Sequence, residues 1–279
     1  MKTILIPVDF TSTSDNALEF ALAWSRNFEY NHIILLKSFY SSFYENVLLT
    51  TEYVNVSQEH RKNEIELLRN RRQTFIDRLD PGVKVSIAVS EKPLLRSIID
   101  MVESEKAELI VLGSDHFSHF NNSFISTQII EIAKASPVNV LIVPSICRFQ
   151  AIQKVLVPID IQTMGLLERL ERFRIKSSRW LDKELMILHV DPKEKYPLRD
   201  EVLERNEKSL REYLKNFRLE VYYSNNKSIL NGIIHFLDEH PADLVVALPG
   251  RHSFLYSLTH KSISKAIYQD TPKPVLILK

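Results

Sequence analysis

Two aspartates directly follow apolar, strand-like segments, one in each half of the chain. Asp9 ends the segment ILIPVD, and Asp160 ends the segment VLVPID. A carboxylate in this position can bind a nucleoside or a cation. It can equally accept hydrogen bonds from the backbone amides of its own loop. The residues leave both interpretations open, and both aspartates are therefore candidate ligand-binding residues.

A second set of polar residues lies in two later loops, 113–126 and 248–261. In the first loop, Asp115, His116 and His119 form D-H-x-x-H, a spacing that can contribute to a zinc site, but no fourth ligand is evident and we expect no metal. In the second loop, Arg251 and Lys261 can hold an anion through side-chain charge, or simply face solvent.

A hydroxyl residue follows each of these loops, Thr127 in the first half and Ser262 in the second. Either can hydrogen-bond a phosphate. Each can instead be the N-cap of the helix predicted to begin there, and we favour the cap because glycines that would bring a phosphate close are scarce. The chain has five glycines in 279 residues.

Composition excludes several classes of function. The chain has 36 basic and 35 acidic residues and no long basic tract, which argues against nucleic-acid binding. Its apolar runs have the length of strands, so no membrane span is expected. The single cysteine, Cys147, permits no internal disulfide and fits the cytoplasm. No nucleophile elbow or Walker A sequence is present, so we expect no catalytic residues.

The chain also repeats itself. Residues 107–144 align without a gap onto residues 242–279, at a constant offset of 135, and KTILIPVDF is answered by KVLVPIDIQ. We therefore predict two domains of one kind, at 1–145 and 152–279. A linker at 145–153 joins them.

The elements that must position these residues alternate between strands and helices. The first half reads as strands at 3–8, 33–36, 83–89, 109–112 and 138–143. Its helices are predicted after Ser14 or Asp15 (as N-cap), and at 57–79, 93–103 and 127–135, with a polar and aromatic excursion at 40–56. Such alternation predicts an α/β fold with a doubly wound, Rossmann-like parallel five-stranded sheet in each half.

The strand–Pro–x–Asp start, the loop after strand four and the final proline followed by an apolar strand resemble the universal stress protein family. The resemblance covers nearly the whole chain and implies the Rossmann-like fold of the adenine nucleotide alpha hydrolases, in tandem. In the ATP-binding branch the loop reads G-x2-G-x9-G-[ST]. Here the three glycine positions and the hydroxyl position hold Gly113, His116, Ser126 and Thr127 in the first half, and Leu248, Arg251, Lys261 and Ser262 in the second.

The resemblance implies a stress-associated binding protein whose two halves pack as an internal pseudo-dimer through their last strands. We expect it to be non-enzymatic, with degenerate nucleotide pockets, no cofactor, and a protein or a small ligand as its partner. The alternative is a universal stress protein that binds ATP or AMP with magnesium and hydrolyses ATP slowly at most. Association of two chains into a homodimer stays open.

Overall fold

A computed structural model describes residues 1–40, 51–79, 82–115, 124–161, 182–193, 201–248 and 273–279, without the side chains of 51–57, 124, 126 and 127. The candidate residues His116, Arg251, Lys261 and Ser262 lie outside this part of the chain. No helix in the described residues is long and apolar enough to cross a membrane.

Strands and helices alternate along the described chain. The first half contains β1 (Thr3–Pro7), α1 (Ser12–Phe28), β2 (His32–Ser38), α2 (Thr51–Ile76), β3 (Lys84–Ser90), α3 (Leu94–Glu105), β4 (Leu109–Ser114), α4 (Phe124–Ala135) and β5 (Asn139–Pro144). The second contains β6 (Lys154–Pro158), β7 (Glu184–Asp191), α5 (Glu201–Tyr213), β8 (Arg218–Asn225), α6 (Ile229–Glu239), β9 (Leu244–Ala247) and β10 (Val275–Ile277).

These strands form one ten-stranded sheet in the order β3-β2-β1-β4-β5-β10-β9-β6-β7-β8. Every neighbouring pair is parallel except β5 and β10, which are antiparallel. The predicted pair of parallel five-stranded sheets in a pseudo-dimer is confirmed. The two sheets are continuous, because the strands at the inner edges hydrogen-bond to each other.

The register of the central pair reflects the sequence repeat. Leu141 pairs with Leu276, which lies 135 residues later and is its counterpart in the second repeat. On either side, Ile142 pairs with Val275 and Val140 with Ile277. Equivalent residues thus exchange partners, as at the axis of an isologous dimer. The pseudo-twofold axis passes through the two leucines.

Side chains of the central strands alternate between two apolar cores, one on each face of the sheet. Leu141 and Leu276 belong to the core beneath α1, whereas Val140 and Ile277 belong to the core on the opposite face. Both cores contain residues of both halves. Because parallel strands covered on both faces must be apolar throughout, the near-continuous apolar runs of these strands follow from their position.

Helices α1 and α2 begin earlier than predicted. The N-cap of α1 is Thr11, whose side chain accepts from the amide of Ser14 at 3.2 Å, so the helix starts before the predicted caps Ser14 and Asp15. Helix α2 begins at Thr51 and takes up the end of the 40–56 excursion. Neither glycine nor proline interrupts that segment, and each added helical residue gains a backbone bond at little further cost. Residues 41–50 of the excursion lie outside the described chain.

Asn16 fixes the path of the chain from β5 into the linker. Its side-chain amide donates to the carbonyl oxygens of Pro144 and Cys147, each at 2.9 Å, and its oxygen accepts from the guanidinium of Arg148. The side chain is buried. A buried amide with its donors and acceptor all engaged holds the turn in one geometry.

We expect Asn16→Ala to lower the free energy of unfolding by about 1–3 kcal/mol, since the Cys147 carbonyl loses the Asn16 donor, whereas the Pro144 carbonyl keeps the Cys147 amide at 2.9 Å. Urea denaturation followed by circular dichroism measures this. The control is Asn27→Ala on the same helix, because the Asn27 amide donates to Ala23 one turn earlier. Equal midpoints for the two variants would contradict the role given to Asn16.

Candidate functional site

The candidate site lies where β1 and β4 end. These strands are parallel neighbours, and the direction of winding reverses between them, since the chain passes from β1 to β2 on one side and later to β4 on the other. Ligands of doubly wound sheets bind beyond the carboxyl ends of the strands at such a switch point. The loop from Val8 to Thr11 and the end of β4 at Ser114 and Asp115 form the described part of this edge.

Asp9 connects the β1 loop to the start of α4. Its Oδ1 accepts from the Thr11 hydroxyl at 2.6 Å and from the Thr11 amide at 3.2 Å, while the Ile125 amide approaches its Oδ2 at 3.5 Å. Ile125 is the second residue of α4, where helix amide groups have no partner within the helix. The carboxylate also offsets the positive end of the helix dipole. Asp9 thus accepts local backbone amides, one of its two predicted roles.

Phe10 follows in a left-handed conformation, with φ of 62°. A residue with a Cβ rarely adopts this conformation unless its surroundings hold it. Here the Asp9–Thr11 hydrogen bonds close the turn, and the Lys37 ammonium lies 4.9 Å from the centre of the Phe10 ring. The same ammonium pairs with Glu64 of α2 at 3.0 Å. The ring, the cation and α2 therefore form one wall of the site.

Gly113 is the one motif glycine that the chain retains, and packing explains it. A Cβ built on Gly113 would lie 2.5 Å from the carbonyl oxygen of Thr13 in α1. No side chain fits so close to a backbone atom, so glycine is needed here whether or not a ligand binds. The Thr13 hydroxyl donates to Asp115 just beyond β4, which adds a polar tie between the two elements.

The described rim of this site is mainly acidic. Burial raises the pKa of Asp15; the Arg71 guanidinium, 2.5 Å away, lowers it, and the neighbouring Asp9 and Glu19 raise it again. The net shift is upward, so the carboxyl is harder to ionise in the folded protein. An incoming anion would meet the same carboxylates. Within the described residues no group of His, Cys, Asp and Glu is arranged to hold a metal ion.

The corresponding edge of the second half is built around His189. Its Nδ1 lies 3.4 Å from the amide of Ile161 and 3.7 Å from Oδ1 of Asp160. The amide can donate only to an unprotonated Nδ1, so the neutral ring carries its proton on Nε2. The ring lies edge-on against Tyr223, at 5.9 Å between centroids.

The remaining predicted residues have different outcomes. Helix α4 begins at Phe124, so Thr127 is its fourth residue, and the prediction of Thr127 as N-cap was wrong. Phe124 and Ile125 extend the helix at its N-terminal end. The Asp9 carboxylate accepts from the Ile125 amide and so takes the place of an N-cap side chain. The side chains of Ser126 and Thr127, like all of His116, Arg251, Lys261 and Ser262, lie outside the described part of the chain.

Sequence reasoning missed three residues that shape this site. Thr11 could have been found, because a threonine two residues after an aspartate is typical of a side-chain-closed turn. Thr13 and Lys37 gave no local signal. The role of Thr13 depends on its contact with Gly113, which is distant in the sequence. The role of Lys37 depends on its contact with Phe10, whose backbone has an unusual left-handed conformation.

Comparison with known proteins identifies the family. The model of the universal stress protein family matches residues 1–144, just over half of the chain, and the chain belongs to that family. A universal stress protein from Archaeoglobus fulgidus DSM 4304 has a similar structure, with a TM-score of 0.66 and 18% identity over 99% of this chain and 98% of that one.

Two further solved structures extend over both halves. A candidate universal stress protein from Pseudomonas aeruginosa UCBPP-PA14 has a TM-score of 0.53 at 14% identity and covers 100% of this chain and 93% of its own. A functionally unknown protein from Pseudomonas aeruginosa PAO1 has a TM-score of 0.52 at 14% identity, with 100% and 92% covered. These likenesses establish the fold. Among curated proteins, none matches the sequence.

Gly113→Ala should destabilise the protein by about 3 kcal/mol, the upper end of the cost of overpacking, because the obstructing atom belongs to the backbone of α1. Urea denaturation measures the change. Gly82→Ala is the matched glycine variant: its φ is +101° with open space around it, so it should cost only about 1 kcal/mol of backbone strain. A Gly113→Ala protein as stable as the unsubstituted chain would mean that packing does not require this glycine.

Proposed function

We propose that this universal stress protein is a binding protein without turnover, and that its first-half pocket no longer accepts nucleotide phosphates. The observation that carries the proposal is the position of the Asp9 carboxylate, 3.5 Å from the amide of Ile125 at the start of α4. An intramolecular anion already faces the helix amides that would otherwise bind a phosphate.

Electrostatics support this proposal. A phosphate at the start of α4 would approach Asp9, with Asp15 and Asp115 on the same edge, and like charges at such short range repel strongly where water is limited. Two cations are described at this site, and both already have carboxylate partners: Arg71 pairs with Asp15 and Lys37 with Glu64. The glycine pattern adds to the argument: Gly113 has a packing role, and His116 and Ser126 replace the other two glycines of the first-half motif.

We also propose that the protein catalyses no reaction at this site. The polar groups of the described site hydrogen-bond to one another: Asp9 to Thr11, and Asp115 to Thr13. Each pair places a hydroxyl against a carboxylate, but the Thr11 hydroxyl oxygen is engaged as the N-cap of α1 and the Thr13 hydroxyl ties α1 to the end of β4. We therefore propose a structural role for both pairs rather than a nucleophilic one. We propose that the chain uses no cofactor and acts in the cytoplasm by binding a protein or a small ligand. ATP binding with slow hydrolysis is the alternative that the following experiment tests.

Magnesium ATP, ADP or AMP at millimolar concentration should leave the thermal midpoint of the full chain unchanged, and denatured protein should release no adenine nucleotide. A ligand at one hundred times its Kd would add about 2.7 kcal/mol. Since about 1 kcal/mol moves the midpoint of a protein of 150–250 residues by about 2–4 °C, binding would be plain in a scanning fluorimetry trace.

The positive arm of this experiment restores the motif. The double variant His116→Gly/Ser126→Gly returns both missing glycines to the first half. A shift in the variant but not in the natural chain would support the loss of binding through these positions. A clear shift in the natural chain, or nucleotide that copurifies with it, would overturn the proposal in favour of the ATP-binding alternative.

Asp9→Ala separates a structural role of this residue from a ligand-binding one. We expect the substitution to destabilise the protein by about 1–3 kcal/mol, because the amides of Thr11 and Ile125 lose their acceptor. A residue kept for ligand binding usually gives the opposite result, in which removing its carboxylate leaves the stability unchanged or increases it. The stability of Asp9→Asn, which keeps one acceptor oxygen, should fall between that of Asp9→Ala and that of the natural chain. Unfolding midpoints in urea decide the order.

A further inference from the structure

The linker crosses the junction of the two halves beside a groove of about 180 Å³. This volume is below the roughly 300 Å³ typical of sites for drug-sized ligands, so the groove suits a small one. Both halves contribute to it, and the junction of β5 with β10 brings them together. The groove is lined by Phe20, Ile146, Cys147, Arg148, Gln150, Asp243, Lys273 and Pro274.

Arg148 is held in place at this groove. Its Nη1 donates to the side-chain oxygen of Asn16 and, at 3.3 Å, to the carbonyl oxygen of Ser145. A guanidinium has five N–H groups in a rigid, planar arrangement, so these two bonds leave donors on Nε and Nη2. Because neutral acceptors hold the group, its positive charge is oriented without being neutralised.

Lys273 brings a second cation to the same place from the other half. Arg148 and Lys273 line the same groove as Cys147. Burial raises the pKa of the Cys147 thiol, while Lys273 and then Arg148 lower it. Among the described residues, neither cation forms an ion pair with a carboxylate. Two like charges at one groove repel each other unless an anion lies between them.

One acidic residue also lines the groove. Oδ2 of Asp243 accepts from the amides of Gln153 and Lys154, at 2.8 and 2.9 Å, where the linker enters β6. This carboxylate therefore holds the end of the linker in place, and two backbone donors partly compensate its negative charge. The groove retains an excess of positive charge.

We propose that this groove binds a phosphate group, inorganic or carried by a small phosphomonoester, between the guanidinium of Arg148 and the ammonium of Lys273. Arg supplies paired donors in the geometry that suits phosphate, and Lys supplies a point charge. The site exists only when the two halves are joined, because Arg148 follows β5 and Lys273 precedes β10. It is separate from the strand-end site described above and does not depend on the proposed function.

Cys147 is the natural reporter of this site, because it lines the groove and is the chain's one cysteine. The full chain is treated with iodoacetamide in potassium phosphate or in potassium chloride of equal ionic strength. Bound phosphate adds negative charge and bulk beside the thiol, so alkylation should slow by about tenfold when phosphate is at about ten times its Kd. The chloride arm separates binding from screening. Glycerol phosphate in a third arm distinguishes a phosphomonoester from the free ion.

The ratio of rates with and without phosphate is then compared between variants, since each substitution also alters the thiol itself. Arg148→Gln and Lys273→Gln should each abolish the slowing. Lys183→Gln is the control, because Lys183 lines a neighbouring groove and pairs with Asp182. Lys273→Gln keeps the test independent of the Asn16–Arg148 bond. Equal rates in phosphate and chloride, or slowing retained in both groove variants, would overturn the proposal.

Discussion

The antiparallel pairing of β5 with β10 is the contact on which the rest of the structure depends. An apolar strand at the edge of a sheet exposes unpaired backbone groups and promotes association with other chains. Here each half covers the edge of the other, with Leu141 against Leu276 at the pseudo-twofold axis. The same pairing lets both apolar cores run from one half into the other, so burial in each half stabilises the whole chain.

Helix α1 connects the junction of β5 and β10 to the candidate site. Its first turn forms the site, through the Thr11 cap and the approach of Thr13 to Gly113. Its middle holds the linker, through Asn16 and through the Phe20 ring, which meets Phe149 edge-on at 5.0 Å between centroids. A rigid helix with both tasks fixes the strand-end site relative to the junction of the halves. The placement of the site therefore depends on contacts far from it.

Membership of the family does not by itself say whether the site binds a ligand, because one fold can have many functions and the residues of the site determine which one is present. The family model and the shared fold identify a universal stress protein. In the described site, carboxylates are matched to local donors: Asp9 to Thr11 and Ile125, and Asp115 to Thr13. Such internal satisfaction stabilises the loop geometry, and it is the physical basis for proposing a binding protein with a closed first pocket.

The sequence by itself determined the repeat, the order of strands and helices and the α/β class, because periodicity and the offset of 135 are local or repeated signals. The joining of the final strands was predicted from the family resemblance. It also located Asp9 at a strand end. Only tertiary structure decided what Asp9 touches, why Gly113 is glycine and where α4 begins, because Ile125 and Thr13 lie about a hundred residues from their partners. Such contacts arise when packed elements meet, and no local pattern encodes them.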